Sequence, residues 1–220
     1  IKLDLHRRDF TINILALRLD GHHYGDLYDY WGGLRDLNKG IVRVLHSLSF
    51  VDDPTRQLRA VRFEQRFNFQ IEERTLQLMD EGRPLIRSLS GDRLRHELNL
   101  ILQEPRALAM LNRLGSLGLL AAIHPDLPDP DLDSTLAGRL ERALSTPTPP
   151  LWDLPAKVAG LPWMTALTYL VWLLSLPTEN AAAVSTRLRL PGVLGDMLTA
   201  AGKLYRELPA FDPGMLPSTA

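Results

Sequence analysis

Residues 52–69, "DDPTRQLRAVRFEQRFNF", mark the point where the pattern of the chain changes. Leu58, Val61 and, further along, Gln65 fall on one stripe, while Arg56, Arg59, Arg62 and Arg66 occupy other faces at helical spacing, so a helix is predicted here. Asp53 followed by Pro54 supplies its start, with Asp as N-cap and Pro at the first helical position, where a missing N–H costs nothing. Before this point, residues 10–48 read as mixed α/β. An apolar segment "FTINILALRLDG" and a turn "GHHYG" lead into "DLYDYWGG" and "LRDLNKG", and then the β-branched "IVRVL" reads as a strand.

After it the reading is helical. Helices are predicted at "EERTLQLMDEG" (72–82), at "SGDRLRHELNLILQE" (90–104) behind a Ser90 or Asp92 cap, and at "PRALAMLNRLGSLGLL" (105–120). The proline-rich "HPDLPDPDLD" (124–133) separates these from "STLAGRLERALS" (134–145). A second linker, "TPTPPLWDLP" (146–155), precedes an apolar helix at 163–176 and helices near 179–189 and 193–208, and the tail from residue 209 is expected to fray. The fold class expected is mainly α with a small α/β part at the N-terminal end.

Composition narrows the function classes. With 25 basic and 26 acidic residues in 220, the formal net charge is −1, so no global field draws the chain to nucleic acid or an anionic membrane. Local basic patches must carry any nucleic-acid contact. There is no cysteine, which removes disulfides, thiolate nucleophiles and cysteine-based metal sites and fits a reducing, cytoplasmic compartment. Residues 158–177 are free of charge, but Pro162 interrupts them and leaves about 14 good helical positions, a length suited to a buried core helix and not a membrane span. No membrane partner is expected.

Two clusters carry chemistry. In "RRDFTIN" (7–13), Arg7 and Arg8 offer fixed positive charge and many N–H donors suited to triphosphate oxygens, and Asp9 can accept hydrogen bonds from hydroxyls such as those of a ribose. Asn13, four residues on, falls on the same face as Asp9 if the segment is helical. In "DDPTR", Asp53 and Arg56 can present an acceptor beside a fork of donors. Adenine and cytosine both offer an amino group next to a ring-nitrogen acceptor; guanine and uracil would meet like against like and leave buried groups unpaired, at about 1–3 kcal/mol each. Both clusters also admit a plain structural reading, as an Arg-Asp cluster at a helix start and as a helix cap.

Taken together, "RRDFTIN", "DLYDYWGGLRDLNKGIVRVL" (26–45), "FVDDPTRQLRAVRFEQRFNFQIEERT" (50–75) and "SGDRLRHELNLIL" (90–102) resemble, in order and spacing, four motifs of the class II tRNA nucleotidyltransferases and their bacterial poly(A) polymerase relatives. The wording "DDPTR" with "RFEQRF" resembles the A-adding subgroup slightly more than the CCA-adding one. The resemblance implies a polymerase β-like head ending near residue 48, a helical neck over 49–125 and a helical body over 126–220. It implies that Arg7 and Arg8 hold the triphosphate, that Asp9 and Asn13 contact ribose or phosphate, and that Asp53 and Arg56 read the base with Arg59 as a phosphate or base-support contact. Asp29 and Gly33 would form the hinge motif between head and neck, and Arg93 and Glu97 would brace the base-reading helix. ATP, possibly CTP, and the 3′ end of tRNA or another RNA would be the partners, and Mg²⁺ the cofactor.

The family holds its magnesium ions on an acidic pair preceding the first of these motifs, and no such strand precedes Arg7. The expectation is therefore of a C-terminal piece of a larger enzyme, with no catalytic or metal-binding residue of its own and no activity alone. Asp129, Asp131 and Asp133 mimic the spacing but stand in a proline-rich loop. The adjacent His22 and His23 read as a hairpin turn, His96 and His124 as local contacts, and Trp31, Trp152, Trp163 and Trp172 as core. General poly(A) polymerase activity, or a non-catalytic nucleotide- or tRNA-binding paralogue, are the alternatives.

Overall fold

A computed structural model describes residues 7–145 and 155–207; the expectations for Trp152, most of the second linker and the tail fall outside the described residues. The chain is mainly α with a few two-residue strands. After a 3-10 turn at Thr11–Asn13 come β1 (Ala16–Leu17) and β2 (Leu27–Tyr28), an antiparallel pair closed by the Gly21–His23 turn. Then follow α1 (Gly33–Lys39), β3 (Ile41–Val42), α2 (Ser49–Asp52), α3 (Arg56–Phe67) and β4 (Gln70–Ile71). The helices α4 (Glu73–Gly82), α5 (Gly91–Leu102), α6 (Ala107–Ser116), α7 (Leu119–Ile123) and α8 (Ser134–Ser145) lead to a small hairpin of β5 (Lys157–Val158) and β6 (Leu161–Pro162). The last elements are α9 (Trp163–Leu173), α10 (Thr178–Leu188) and α11 (Gly192–Glu207).

At the centre lies α3. Leu58, Ala60 and Val61 are fully buried on it, as its apolar stripe requires, and it packs on α5, α6 and the β3–β4 pair. It ends where Asn68 turns into the left-handed region (φ 54°), a conformation asparagine tolerates. β3 and β4 run parallel with Val42 opposite Ile71, so α2 and α3 together form the crossover of a small β-α-β unit. One apolar cluster runs from Phe10 through this unit to Leu198 on α11. The apolar helix expected at 163–176 is α9; Tyr169 and Trp172 fill its buried face, with Tyr169 Oη donating to Asn99 Oδ1 (2.9 Å) and Trp172 Nε1 to the Pro128 carbonyl (2.8 Å). Trp31 and Trp163 are half-buried.

Several expectations change in detail. The strand expected over "IVRVL" pairs only at Ile41–Val42, and Val44 forms an isolated bridge with Phe10. "RRDFTIN" is not an α-helix but enters a 3-10 turn. The helix expected over 105–120 is two, because Gly118 turns left-handed (φ 68°) and its N–H closes on the Gly115 carbonyl at 2.7 Å. The helix behind Pro54 becomes regular at Arg56, since Asp53 is extended and a turn over 53–55 intervenes. Ser90, not Asp92, caps α5, accepting from the Arg93 N–H at 3.4 Å. The β5–β6 hairpin adds two short strands where the sequence pattern predicts none.

A buried polar chain ties the N-terminal part to the helices. Thr11 Oγ1 donates to Asp36 Oδ2 (2.8 Å), Arg43 bridges Asp36 (2.9 Å) and Glu72 (2.7 Å), and Glu72 caps α4 through the Thr75 N–H (2.9 Å). Asp29 acts locally, its carboxylate accepting from the Gly33 N–H (2.7 Å) and the Leu34 N–H (3.1 Å) at the start of α1. Burial pushes its carboxyl up, but the backbone donors of Leu34, Gly33, Gly32 and Trp31 outweigh it and hold it below its ordinary value. Gly33 is needed for space, since a Cβ there would fall on the Thr11 carbonyl oxygen. Gly33→Ala is expected to cost about 1–3 kcal/mol, the range of other overpacked sites, measured as a lower urea midpoint with an unchanged slope.

Candidate functional site

Two distant stretches of chain face each other across an open cleft of about 490 Å³. Its lining is Arg7, Arg8, Asp9 and Asn13 from one side and Asp53, Arg56 and Arg59 from the other, so the structure brings all seven sequence-derived nucleotide-site residues together. Asp29 and Gly33 stand apart from it, at the start of α1. A second hollow of about 370 Å³ shares Asp53 and Arg59 and continues along the first turns of α5, past Asp92, Arg93, His96 and Glu97.

The cleft is built from fixed side chains. Asp9 is almost fully buried, and its Oδ1 accepts from the Phe10 N–H and from Asn13 Nδ2, both at 2.9 Å. Its Oδ2 accepts from Arg59, through Nε at 2.8 Å and through Nη2. Asn13 thus reaches Asp9 through the 3-10 turn and not along an α-helical face. Arg8 donates to the Asn13 carbonyl (3.3 Å). Arg56 is buried at the floor, with Nη1 on the Ser49 carbonyl (3.3 Å) and Nη2 on the Arg7 carbonyl (2.8 Å). That last bond clips the segment carrying Arg7 and Arg8 to α3.

Asp53 is held on one side only. Its Oδ1 accepts from the Thr55 N–H (3.0 Å), the Thr55 hydroxyl (2.6 Å) and Arg93 Nη2 (2.7 Å), and Oδ2 takes none of these bonds. Three donors on one oxygen fix the plane of the carboxylate. Glu97, buried one turn beyond Arg93, lies 3.6 Å from Arg59 and 3.7 Å from Arg62. Asp9 and Glu97 therefore share the Arg59 guanidinium; burial lowers its pKa, but Asp9 and Glu97 outweigh that and raise it. Burial pushes the Asp9 carboxyl up, but hydrogen bonds from Asn13 and Arg59 and the Arg59 charge hold it below its ordinary value. Chemically, the cleft offers fixed arginine charge on one lip, a carboxylate with one oxygen oriented and one unengaged, and a guanidinium bonded to backbone carbonyls.

The remaining candidates sit in structural roles. Asp129 Oδ1 accepts from the Asp131 N–H (3.0 Å), and Asp133 caps α8 through the N–H groups of Thr135 (2.9 Å) and Leu136 (3.0 Å). His23 contacts Asp26 (3.0 Å) in the β1–β2 turn, His124 accepts from the Asp126 N–H (3.2 Å), and His96 is exposed on α5. Among the described residues no group of three or more His, Asp or Glu side chains is placed to hold a metal ion. No described helix is long and apolar enough to cross a membrane. Sequence reading does not single out Thr55 or Ser49, which fix Asp53 and Arg56 through contacts that no motif spacing displays.

The poly A polymerase head domain matches residues 1–43, and the probable RNA and SrmB-binding site of polymerase A matches residues 68–129. An A-adding tRNA nucleotidyltransferase of Geobacter sulfurreducens is 50% identical over 129 residues, covering 58% of this chain and 15% of that protein. A CCA-adding enzyme of Thermotoga maritima complexed with tRNA-CCA superposes with a TM-score of 0.76 at 34% identity, over 95% of this chain and 49% of that one. A CCA-adding enzyme in complex with ATP gives 0.74 at 34% identity, over 95% and 48%. The chain thus spans about half of each solved relative and a smaller share of the Geobacter protein. The first match falls on the N-terminal part and the second on the helices that follow α3. Over these segments the chain is similar to tRNA nucleotidyltransferases that add A or CCA.

The lowered Asp9 pKa makes a pH prediction. Its contribution to stability is fully present above the ordinary value of 3.8 and is lost as pH falls through the lower, folded value. Urea midpoints measured from about pH 6 down to about pH 2 should fall more steeply below about pH 4 for the wild type than for Asp9→Asn.

Proposed function

We propose that the cleft binds a nucleoside triphosphate and that the complete protein transfers AMP from ATP to the 3′ end of tRNA. The observation that carries this is the meeting, in one cleft, of Arg7, Arg8, Asp9, Asn13, Asp53, Arg56 and Arg59. The solved relatives with ATP and with tRNA-CCA support the substrate classes, and the A-adding Geobacter relative favours adenylate as the group added.

In this reading residues 1–48 end the head, 49–125 form the neck and 126–220 the body. Arg7 and Arg8 face the triphosphate with their charge. Asp53 Oδ2, the oxygen that Thr55 and Arg93 leave unengaged, accepts the adenine amino hydrogen while a remaining Arg56 N–H serves the ring nitrogen. Asp9, with both oxygens bonded, organises Asn13 and Arg59, and Arg59 supports the base-reading helix. Arg93 and Glu97 brace that helix from α5. The tRNA 3′-hydroxyl oxygen bonds to the α-phosphorus, the bond to the bridging β-phosphate oxygen breaks, pyrophosphate leaves, and the hydroxyl proton is lost to solvent. Magnesium, which the resemblance implies, would neutralise the departing pyrophosphate.

Asp53→Ala in the complete protein is expected to lower discrimination of ATP against GTP and UTP by about 5- to 100-fold, matching one or two unpaired polar groups, while tRNA affinity stays within about twofold. Single-nucleotide incorporation assays with the four triphosphates, alongside a filter-binding titration of tRNA, read both quantities. Unchanged incorporation ratios would remove the template assignment. Accepting CTP as readily as ATP would move the reading to CCA addition, and adenylation of unstructured RNA at a rate equal to tRNA would move it to a general poly(A) polymerase.

A further inference from the structure

The first turn of α5 faces two ways. On one side Arg93 holds Asp53 Oδ1 at 2.7 Å. On the other, Asp92 and Arg95 grip the end of α10: Asp92 accepts from Arg189 (2.6 Å) and from Arg95 (2.8 Å), and Arg95 donates to the carbonyls of Leu188 (3.3 Å) and Arg189. Gly91 lies so close to the same segment that a Cβ would collide with the Arg187 carbonyl oxygen. Arg187 completes the joint by donating to four backbone carbonyls, those of Leu89 (2.7 Å), Ile86 (3.1 Å), Ile123 (3.1 Å) and Arg87 (3.3 Å).

Three of these acceptors, Ile86, Arg87 and Leu89, close the 3-10 segment over 83–88 and lead into the Ser90 cap of α5, and the fourth, Ile123, ends α7. Helix ends leave such carbonyls without intrahelical partners, and here a side chain about 100 residues away supplies the donors. The position of the α5 first turn is therefore set from α10 as well as from its own cap. Residues 187–189 lie outside both matched family segments.

We propose that Arg187 and Arg189 are positioning residues for nucleotide choice: by seating α10 on the first turn of α5 they fix Arg93, and through Arg93 the plane of the Asp53 carboxylate. The proposal rests on the reading of Asp53 as the base-reading acceptor. A guanidinium anchored at one end holds a carboxylate only as firmly as its backbone is held, and a small tilt of that carboxylate weakens a correct base pair and relaxes the penalty on a wrong one. Neither arginine touches the cleft, so their effect must pass through Arg93.

The test uses the complete protein with Arg187→Ala, Arg189→Ala, Arg93→Ala, Asp53→Ala and each outer arginine change combined with Arg93→Ala. The readouts are the ATP-to-GTP ratio of kcat/KM, the KM for tRNA and the melting temperature. Arg187→Ala and Arg189→Ala are expected to lower the ratio about threefold or more without moving the tRNA KM, and to lower it no further once Arg93 is alanine, the non-additivity of one coupled path. A merely structural joint would lower the melting temperature in both backgrounds and leave the ratio alone, which would overturn the proposal; so would fully additive losses. Arg189 is exposed, so if Arg187→Ala does not fold, Arg189→Ala decides the question by the same readouts. If Asp53→Ala leaves the ratio unchanged, the underlying base-reading assignment fails; if Asp53→Ala moves it and the outer arginines do not, only the positioning inference fails.

Discussion

The ion pair between Asp9 and Arg59 joins two stretches of chain 50 residues apart, and the cleft exists because it does. Taking both charges out of water is costly, so the pair survives by saturating its bonds: the second carboxylate oxygen accepts from Asn13 and the Phe10 N–H, and the guanidinium also lies near Glu97. Such an arrangement adds little net stability compared with well-packed apolar groups. What it supplies is register. Only one placement of the N-terminal segment against α3 satisfies all of these donors at once, and the Arg56 bond to the Arg7 carbonyl locks that same placement from the floor.

Around this pair α3 works as a chassis with distinct faces. Leu58, Ala60 and Val61 go into the core. Gln57, also buried, donates to the Gly82 carbonyl (3.0 Å), and Glu64 takes a bidentate grip from Arg113 (2.8 and 3.1 Å), so α4 and α6 are tied to it by polar as well as apolar contacts. Arg59, Arg62 and Arg66 lie along Glu97 and Glu104 and flank the rings of Phe63 and Phe67. Burial, with repulsion from Arg59 and Arg66, lowers the Arg62 pKa despite the nearby Glu97 and Glu104. A helix held on so many sides can present Asp53 and Arg56 from its leading end with little freedom to move.

Much of this architecture is legible in the residues alone. The arginine spacing after Pro54 announces the central helix, the β-branched "IVRVL" announces β3, and the charge-free stretch near 163–176 announces α9. The seven cleft residues can be named because four motifs stand in order along the chain. What spacing does not show is partnership between residues far apart. Thr11, Asp36, Arg43 and Glu72 form one buried chain, yet nothing local marks any of them as partners. Nor does sequence tell that Asp9 spends both oxygens on holding the site together, or that Arg187 closes helix ends from across the fold. The helix over 105–120 is broken because Gly118 turns left-handed, and the strand at Ile41 stops early despite its β-branched residues because the available partners, Gln70–Ile71 and Phe10, pair it only in part.

The parallel pairing of β3 with β4 bears on how the chain can be divided. Val42 and Ile71 share the core only in the observed register; a slip of one strand by one residue would turn its core side chain outward. The strand before residue 48 and the strand after α3 are therefore halves of one small sheet, with α2 and α3 as the bridge between them. A cut at residue 48 would separate β3 from β4 and leave each strand without its partner. The stretch from Gly40 to Ile71 is therefore one structural unit, whose two ends meet as a sheet only when the helices between them are kept.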